Sequence, residues 1–100
     1  MLIYNVTVKI EHDVHEDWLQ WMRNIHIPEV ISTGFFENYR LCKVLGDEDT
    51  HGITYAIQYT CPDMESFVAY QEQHAPRLQA EHASRYTNRY VAFRTLLEVL

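Results

Sequence analysis

FVAYQEQHAPRL, residues 67–78, repeats a pattern that the chain has already used once, in LQWMRNIHIPEV at residues 19–30. Both stretches follow a helical pattern up to a His-x-Pro sequence. Proline removes a backbone donor and disfavours helix at the residue before it. We therefore expect two helices that end at the same place in two equivalent halves of the chain, with His26 and His74 at their C-termini.

Segments that alternate apolar and polar residues, as half-buried strands do, flank both copies of this pattern. LIYNVTV at 2–8 aligns with ITYAIQY at 53–59, so the repeat includes a strand as well as a helix. The alternation predicts four strands, at residues 2–11, 35–45, 53–61 and 90–99.

The helix starts are marked by capping residues. Asp13 and Glu16 have the spacing of a capping box, which predicts a first helix from Asp13 to His26, followed by a short helical turn. Asp63 is predicted to begin the second helix. After the second His-x-Pro a weaker helical piece, roughly 77–86, leads to the last strand.

The predicted order of elements is β-α-β-β-α-β. Two βαβ-type halves with right-handed crossovers form a ferredoxin-like α+β sandwich, with a four-stranded antiparallel sheet and both helices on one face. The chain has 100 residues and carries neither a linker nor a low-complexity tract, so we expect one domain that spans residues 1–100.

Composition excludes several classes of partner. The formal charge of −6 disfavours nucleic acid and anionic membrane surfaces. Apolar runs stay far below the roughly 18 residues of a membrane span, and the first residues lack the basic segment of a signal peptide, so we expect a cytoplasmic protein. The histidines lack compact metal-ligand spacing, and Cys42 and Cys61 are interpreted as free buried thiols. We expect neither a metal nor a cofactor.

The side of the sheet that the helices leave uncovered has a mixed character. Its predicted polar residues are Asn5, Thr7, Arg40, Thr54, Gln58 and Arg94, and apolar residues interspersed with them are Ile3, Phe36, Val44, Ala56 and Leu96. A buried guanidinium needs an acceptor. Three alternatives stay open for Arg40 and Arg94: a carboxylate across a dimer, a ligand anion, or solvent. For a ligand site, we expect Arg94 to anchor the anion, Asn5 and Gln58 to orient the ligand, and Arg40 to contribute to binding.

Four residues of the second half, Phe67, Tyr70, His74 and Pro76, match the F-x-x-Y-x-x-x-H-x-P motif position by position. In this motif the chain is similar to the dimeric α+β barrel superfamily. In its whole order it resembles a bacterial family of similarly short chains that is described as a domain of unknown function. The resemblance implies a homodimer in which two ferredoxin-like subunits face each other through their sheets. The superfamily includes cofactor-free monooxygenases, lactone isomerases, polyketide-degradation proteins and ligand-sensing domains, so it does not fix the activity.

His26 and His74 are the candidate catalytic residues, because imidazole titrates near neutral pH. Their position at helix C-termini gives them an alternative, structural explanation. We consider three functions: binding of a small acidic or aromatic metabolite in a dimeric barrel, a cofactor-independent monooxygenase- or isomerase-like enzyme on a small aromatic or enolisable substrate, and a structural interaction module. The predicted set of arginine, amide and hydroxyl groups favours holding an anion over moving a proton.

Overall fold

A four-stranded antiparallel sheet in the order β2-β3-β1-β4 organises the computed structural model, which describes residues 1–47 and 51–100. The strands are β1 (Leu2–Ile10), β2 (Asn38–Lys43), β3 (Ile53–Cys61) and β4 (Tyr90–Glu98). The predicted ferredoxin-like α+β fold is confirmed, although β2 is shorter than the sequence pattern indicates.

The helical layer covers one face of this sheet. It consists of a 3₁₀ turn (His12–Val14), α1 (His15–Trp21), a π-helical segment (Met22–His26), α2 (Ile27–Ser32), α3 (Met64–Gln73) and α4 (Ala75–Arg85). No helix in the described part of the chain combines the length and the apolarity that crossing a membrane requires.

The two His-x-Pro sequences have different structures, and the predicted helix end at His26 is wrong. There the helix continues through Pro28 by way of the π segment, in which the N–H of Ile27 bonds to the carbonyl of Met22. In a regular α-helix the ring of Pro28 would clash with the carbonyl four residues earlier. The wider π turn places that carbonyl away from the ring. At His74 the chain does break, with φ −129° and ψ −36°, and α4 begins at Ala75.

One of the two predicted helix caps is present. The Asp63 carboxylate accepts a hydrogen bond from the backbone N–H of Ser66 at 2.8 Å and so caps α3. Asp13 does not cap α1, which begins only at His15. Instead its carboxylate lies 2.5 Å from the Arg89 guanidinium, just before β4. This ion pair ties the start of the helical layer to the far edge of the sheet.

The core lies between the helices and the sheet. Its fully buried side chains include Trp18 from α1, Ile27 from α2, Leu78 from α4 and Ile57 from β3. Phe36 also belongs to this core, stacked 6.0 Å from Tyr4, so its predicted place on the uncovered face is wrong.

The two cysteines differ in exposure. Both are free thiols; Cys61 is buried but Cys42 is exposed on β2. The expectation that both are buried is therefore wrong for Cys42.

The two faces of β4 are the reverse of the prediction. The strand register pairs Arg94 with Val6 and Leu96 with Tyr4, which places both β4 residues on the helix-facing side. The opposite side of β4 carries Phe93, which is 63% exposed. Alternation alone assigns the more apolar side of a strand to its own helices, and in β4 that side faces away from them.

Candidate functional site

A cavity of ≈ 40 Å³ lies between the helices and the sheet, with room for a few water molecules at about 10–15 Å³ each. Its wall on the sheet side is formed by Tyr4, Val6, Val8, Ile57, Tyr59, Ala92 and Arg94, and its wall on the helix side by Met22, His26, Val30, Tyr70, Leu78, Gln79 and His82. The cavity is mostly apolar, with a few convergent polar groups, as small-molecule sites are.

His82 reaches the cavity from α4 and is held there by Trp18. The indole Nε1–H of Trp18 donates to His82 Nε2 at 2.9 Å. An indole can only donate, so Nε2 must be the unprotonated nitrogen, and the neutral ring carries its proton on Nδ1. Burial, with smaller contributions from His26 and Arg94, lowers the pKa of His82 to about 4. His82 is therefore neutral at neutral pH.

His26 enters the cavity at the end of the π segment. Its ring stacks on Trp21 with centroids 4.9 Å apart and meets the ring of His82 edge-on at 5.9 Å. Burial lowers the pKa of His26 to about 4; Arg94 adds to this shift and the carboxylate of Glu81 opposes it. Segments of π-helix inside α-helices are frequent at functional sites, because they turn a side chain away from the regular helical position.

Arg94 supplies the positive charge at the cavity. Its side chain is exposed, so it connects the cavity to solvent along the β4 edge. Burial raises the pKa of Tyr4, and the neighbouring Arg94 guanidinium and Gln79 amide counteract part of that rise. Burial also raises the pKa of Tyr59 and of Tyr70 above the ordinary value of 10.0. All three phenols are therefore uncharged at neutral pH.

The polar side chains of the cavity are thus one cationic side chain and several neutral hydrogen-bonding side chains. Among the described residues that line it, Arg94 is the one side chain that is charged at neutral pH. A guanidinium presents a rigid fork of N–H donors that matches a carboxylate. The arrangement can hold a small anion at its mouth and an aromatic or aliphatic body further in.

The structure separates the two histidines that were predicted together. His26 lies in the cavity wall, but His74 lies behind Tyr70, with ring centroids 6.4 Å apart. The His74 Nδ1 accepts from Arg77 Nη2 at 3.2 Å, and its ring also contacts Phe35.

The predicted ligand residues are separated as well. Asn5 and Arg40 each lie opposite Gln58 on neighbouring strands, on the side of the sheet away from the helices, which we call the open face. Arg40 Nη2 donates to Gln58 Oε1 at 2.9 Å, and Asn5 Nδ2 donates to Thr7 Oγ1 at 3.0 Å. Arg94 points to the opposite side and belongs to the cavity, so the predicted grouping of Arg94 with Asn5 and Gln58 is wrong.

Sequence reasoning missed His82, Gln79 and the hydroxyl of Tyr4 as polar members of the site. A signal for His82 was present, because it falls on the helical stripe with Leu78 and Tyr86, both of which are buried. Nothing in the local pattern distinguishes Gln79 from a surface glutamine of α4.

Groups of three or more histidine, cysteine, aspartate or glutamate side chains arranged to hold a metal ion do not occur within residues 1–47 and 51–100. Among these described residues, the polar side chains that line the cavity are one arginine, two imidazoles, one amide and three phenols.

Comparison with known proteins identifies a family and a fold. The sequence profile of the family described as "Domain of unknown function (DUF4286)" matches residues 1–100. No curated protein matches the chain in sequence.

Solved structures with the same fold include enzymes and a protein of unknown function. One is an antibiotic biosynthesis monooxygenase, with 14% identity, a TM-score of 0.66 and coverage of 100% of this chain and 99% of the other. SnoaB from Streptomyces nogalater, a cofactor-independent oxygenase, has 12% identity, a TM-score of 0.63 and coverage of 98% and 92%. A dimeric ferredoxin-like protein from Thermobifida fusca has 17% identity, a TM-score of 0.58 and coverage of 97% and 92%.

Proposed function

The chain belongs to the DUF4286 family, and from that premise we propose that it binds a small acidic or aromatic metabolite in the cavity between its helices and its sheet. The observation that carries the proposal is the charge pattern of the cavity. Arg94 is a cation at the mouth, while His26 and His82 are kept neutral by burial. The protein as a whole has a formal charge of −6, so a positive site inside it is a local feature suited to an anion.

The wall of the cavity supports a ligand with a flat apolar body. The rings of Tyr4 and Tyr70 lie 6.1 Å apart, and Met22 and Ile57 complete the apolar surface around them. Aromatic rings prefer offset or tilted contacts with other rings, which an aromatic acid offers. A ligand larger than the ≈ 40 Å³ interior extends outward past Arg94.

Replacing Arg94 with alanine is expected to weaken binding of a small carboxylic acid by about 10- to 30-fold, because a charge-assisted hydrogen bond is worth roughly 1.5–2 kcal/mol. The acid is first identified by a thermal-shift screen of small carboxylates against the wild-type protein. Binding is then measured by isothermal titration calorimetry.

Arg40→Ala is the matched control, because it removes the same side chain from the open face. It is expected to leave binding unchanged. Loss of binding in Arg40→Ala with retention in Arg94→Ala would place the site on the open face and contradict the proposal. A screen in which no carboxylate stabilises the wild-type protein would contradict it as well.

A cofactor-independent enzyme is the second candidate. It is supported by His26, which burial keeps in the neutral form that a general base requires. The low pKa also makes the imidazole a weak base, and for that reason we rank binding first. Conversion of a bound aromatic substrate that is lost in His26→Gln and retained in His74→Gln would identify an enzyme.

We also propose that two copies pair through their open faces, as a cytoplasmic homodimer that binds neither nucleic acid nor membranes. The open side of β4 carries Val91, Phe93 and Leu97, which are 67%, 63% and 42% exposed in the single chain. Apolar side chains clustered on one face of a small domain are typical of a subunit interface. A purely structural interaction module would use the same surface without a ligand.

Phe93→Asp is expected to weaken the dimer at least 30-fold, since an unpaired carboxylate in an interface costs on the order of 2 kcal/mol or more. Sedimentation velocity at micromolar concentration measures the change. Ile25→Asp is the control, because Ile25 is 47% exposed on the helical side of the molecule. A monomeric wild-type protein at this concentration would contradict the homodimer.

A further inference from the structure

The polar atoms of the cavity differ in whether the protein satisfies them. His82 Nε2 accepts a hydrogen bond from the indole N–H of Trp18 at 2.9 Å. His26 Nδ1 is buried, and no group among the described residues hydrogen-bonds to it. Nearly all buried polar atoms in proteins have a partner, so a single exception beside a cavity requires an explanation.

The neighbouring side chains do not supply the missing hydrogen-bond partner as they are arranged. His82 directs its accepting nitrogen to Trp18 and meets the His26 ring edge-on, with centroids 5.9 Å apart. The other aromatic neighbour, Trp21, stacks on the face of the His26 ring and so does not lie in the ring plane, where a hydrogen-bond partner of Nδ1 would be. Burial keeps the imidazole neutral at neutral pH, so Nδ1 is either a single donor or a single acceptor, and in both cases it has no partner in the described part of the protein.

We propose that the ligand itself supplies this partner: it carries a hydroxyl group, which can donate to or accept from His26 Nδ1, and an anionic group for Arg94. This inference rests on the proposed function and narrows its ligand to small hydroxylated carboxylic acids, with phenolic acids favoured by the tyrosine rings of the wall. Because Arg94 is exposed at the mouth of the cavity, the aromatic ring of the ligand can lie at the mouth. Only its hydroxyl group then has to enter the ≈ 40 Å³ interior.

The test uses three isomeric pairs of probes: 2-, 3- and 4-hydroxybenzoate, each against the corresponding fluorobenzoate. Fluorine is close to a hydroxyl in size, but it has no proton to donate and is a very weak hydrogen-bond acceptor. At least one hydroxybenzoate is expected to bind the wild-type protein about tenfold more tightly than its fluoro partner, because an unsatisfied buried polar atom is costly. In His26→Phe, which keeps a ring to stack on Trp21 but lacks Nδ1, this preference is expected to vanish.

A second measurement does not depend on the variant. The ¹⁵N resonance of His26 Nδ1 is expected to move when the preferred hydroxybenzoate is added to the wild-type protein, and to move much less with the fluorobenzoate. Failure to see this difference overturns the inference even where His26→Phe does not fold.

The outcomes of these experiments distinguish a failure of this inference from a failure of the proposed function. Equal binding of the two members of every pair, or a hydroxyl preference that survives in His26→Phe, overturns the inference and leaves carboxylate binding at Arg94 intact. Absence of binding by all six benzoates overturns the ligand class proposed here. The carboxylate screen with Arg94→Ala then decides the proposed function independently.

Discussion

Trp18→Ala is expected to lower the free energy of unfolding by about 4–8 kcal/mol. Truncating a fully buried tryptophan costs roughly 3–5 kcal/mol in lost burial and in the cavity left behind. Trp18 has no exposed surface, and its indole N–H also satisfies His82 Nε2. Leaving that acceptor without a donor adds about 1–3 kcal/mol. Urea unfolding followed by circular dichroism at pH 7.5 measures the change.

The hydrogen bond can be separated from the packing by a double-mutant cycle. Trp18→Phe keeps an aromatic ring but removes the donor, and His82→Phe removes the acceptor. The double variant is expected to be more stable than the sum of the two single changes predicts, because each single change leaves one buried group unsatisfied. Ile25→Ala, at an exposed position of the same helical layer, is the control and should cost no more than about 0.5 kcal/mol. Strict additivity in the cycle would show that the Trp18–His82 bond does not contribute to stability.

Acidification is expected to destabilise the protein between pH 6.5 and about pH 4. In this window the unfolded state, whose histidines have the ordinary pKa of 6.5, binds protons that His82 and His26 do not bind in the folded state. Stability therefore rises with pH through the window; it is fully present above pH 6.5 and lost as the pH falls to about 4. The 8%-exposed His82 accounts for about 3 kcal/mol at 1.36 kcal/mol per pH unit, and the more exposed His26 for less.

Urea unfolding at a series of pH values tests this effect. In His82→Gln the amide oxygen can still accept from Trp18 but does not titrate, so the dependence on pH is expected to shrink markedly. His51→Gln, which replaces an exposed histidine, should retain it. Hydrogen bonds with Arg89 and Ser66 lower the pKa values of the Asp13 and Asp63 carboxyls below 3.8. The stability that these carboxylates contribute is therefore lost at a lower pH than the stability that depends on the histidines. A flat stability profile from pH 7 to pH 4.5 would contradict the prediction.

The fold was predictable because its signals are local and repeated. Alternation in β1 and β3, and the cap at Asp63, each depend on a few adjacent residues and point to the same architecture. The helix through Pro28 was not predictable in this way. Whether a His-x-Pro sequence bends into a π turn or breaks the helix depends on what the helix packs against, and the two halves pack differently.

The site was predictable in its residue types but not in its location. His26 and Arg94 were both identified from the sequence, yet they were assigned to separate surfaces and the structure brings them to one cavity. The error came from β4, where apolar Phe93 lies on the open face and charged Arg94 faces the helices. The apolar face of an edge strand can be buried against a second subunit instead of against the strand's own helices. The alternation of residues in the sequence does not distinguish these two possibilities.

The π segment has a consequence for protein engineering. A regular α-helix turns by about 100° per residue. The extra residue in a π turn therefore changes the direction in which all later side chains of the helix point. Deleting one residue between Met22 and His26 would produce a more ideal helix and would turn Ile27 and Val30, which are 0% and 2% exposed, away from the core. Idealising backbone geometry usually raises stability. In this helix the irregular turn keeps the downstream residues in phase with the sheet, and a redesign should treat it as a fixed part of the scaffold.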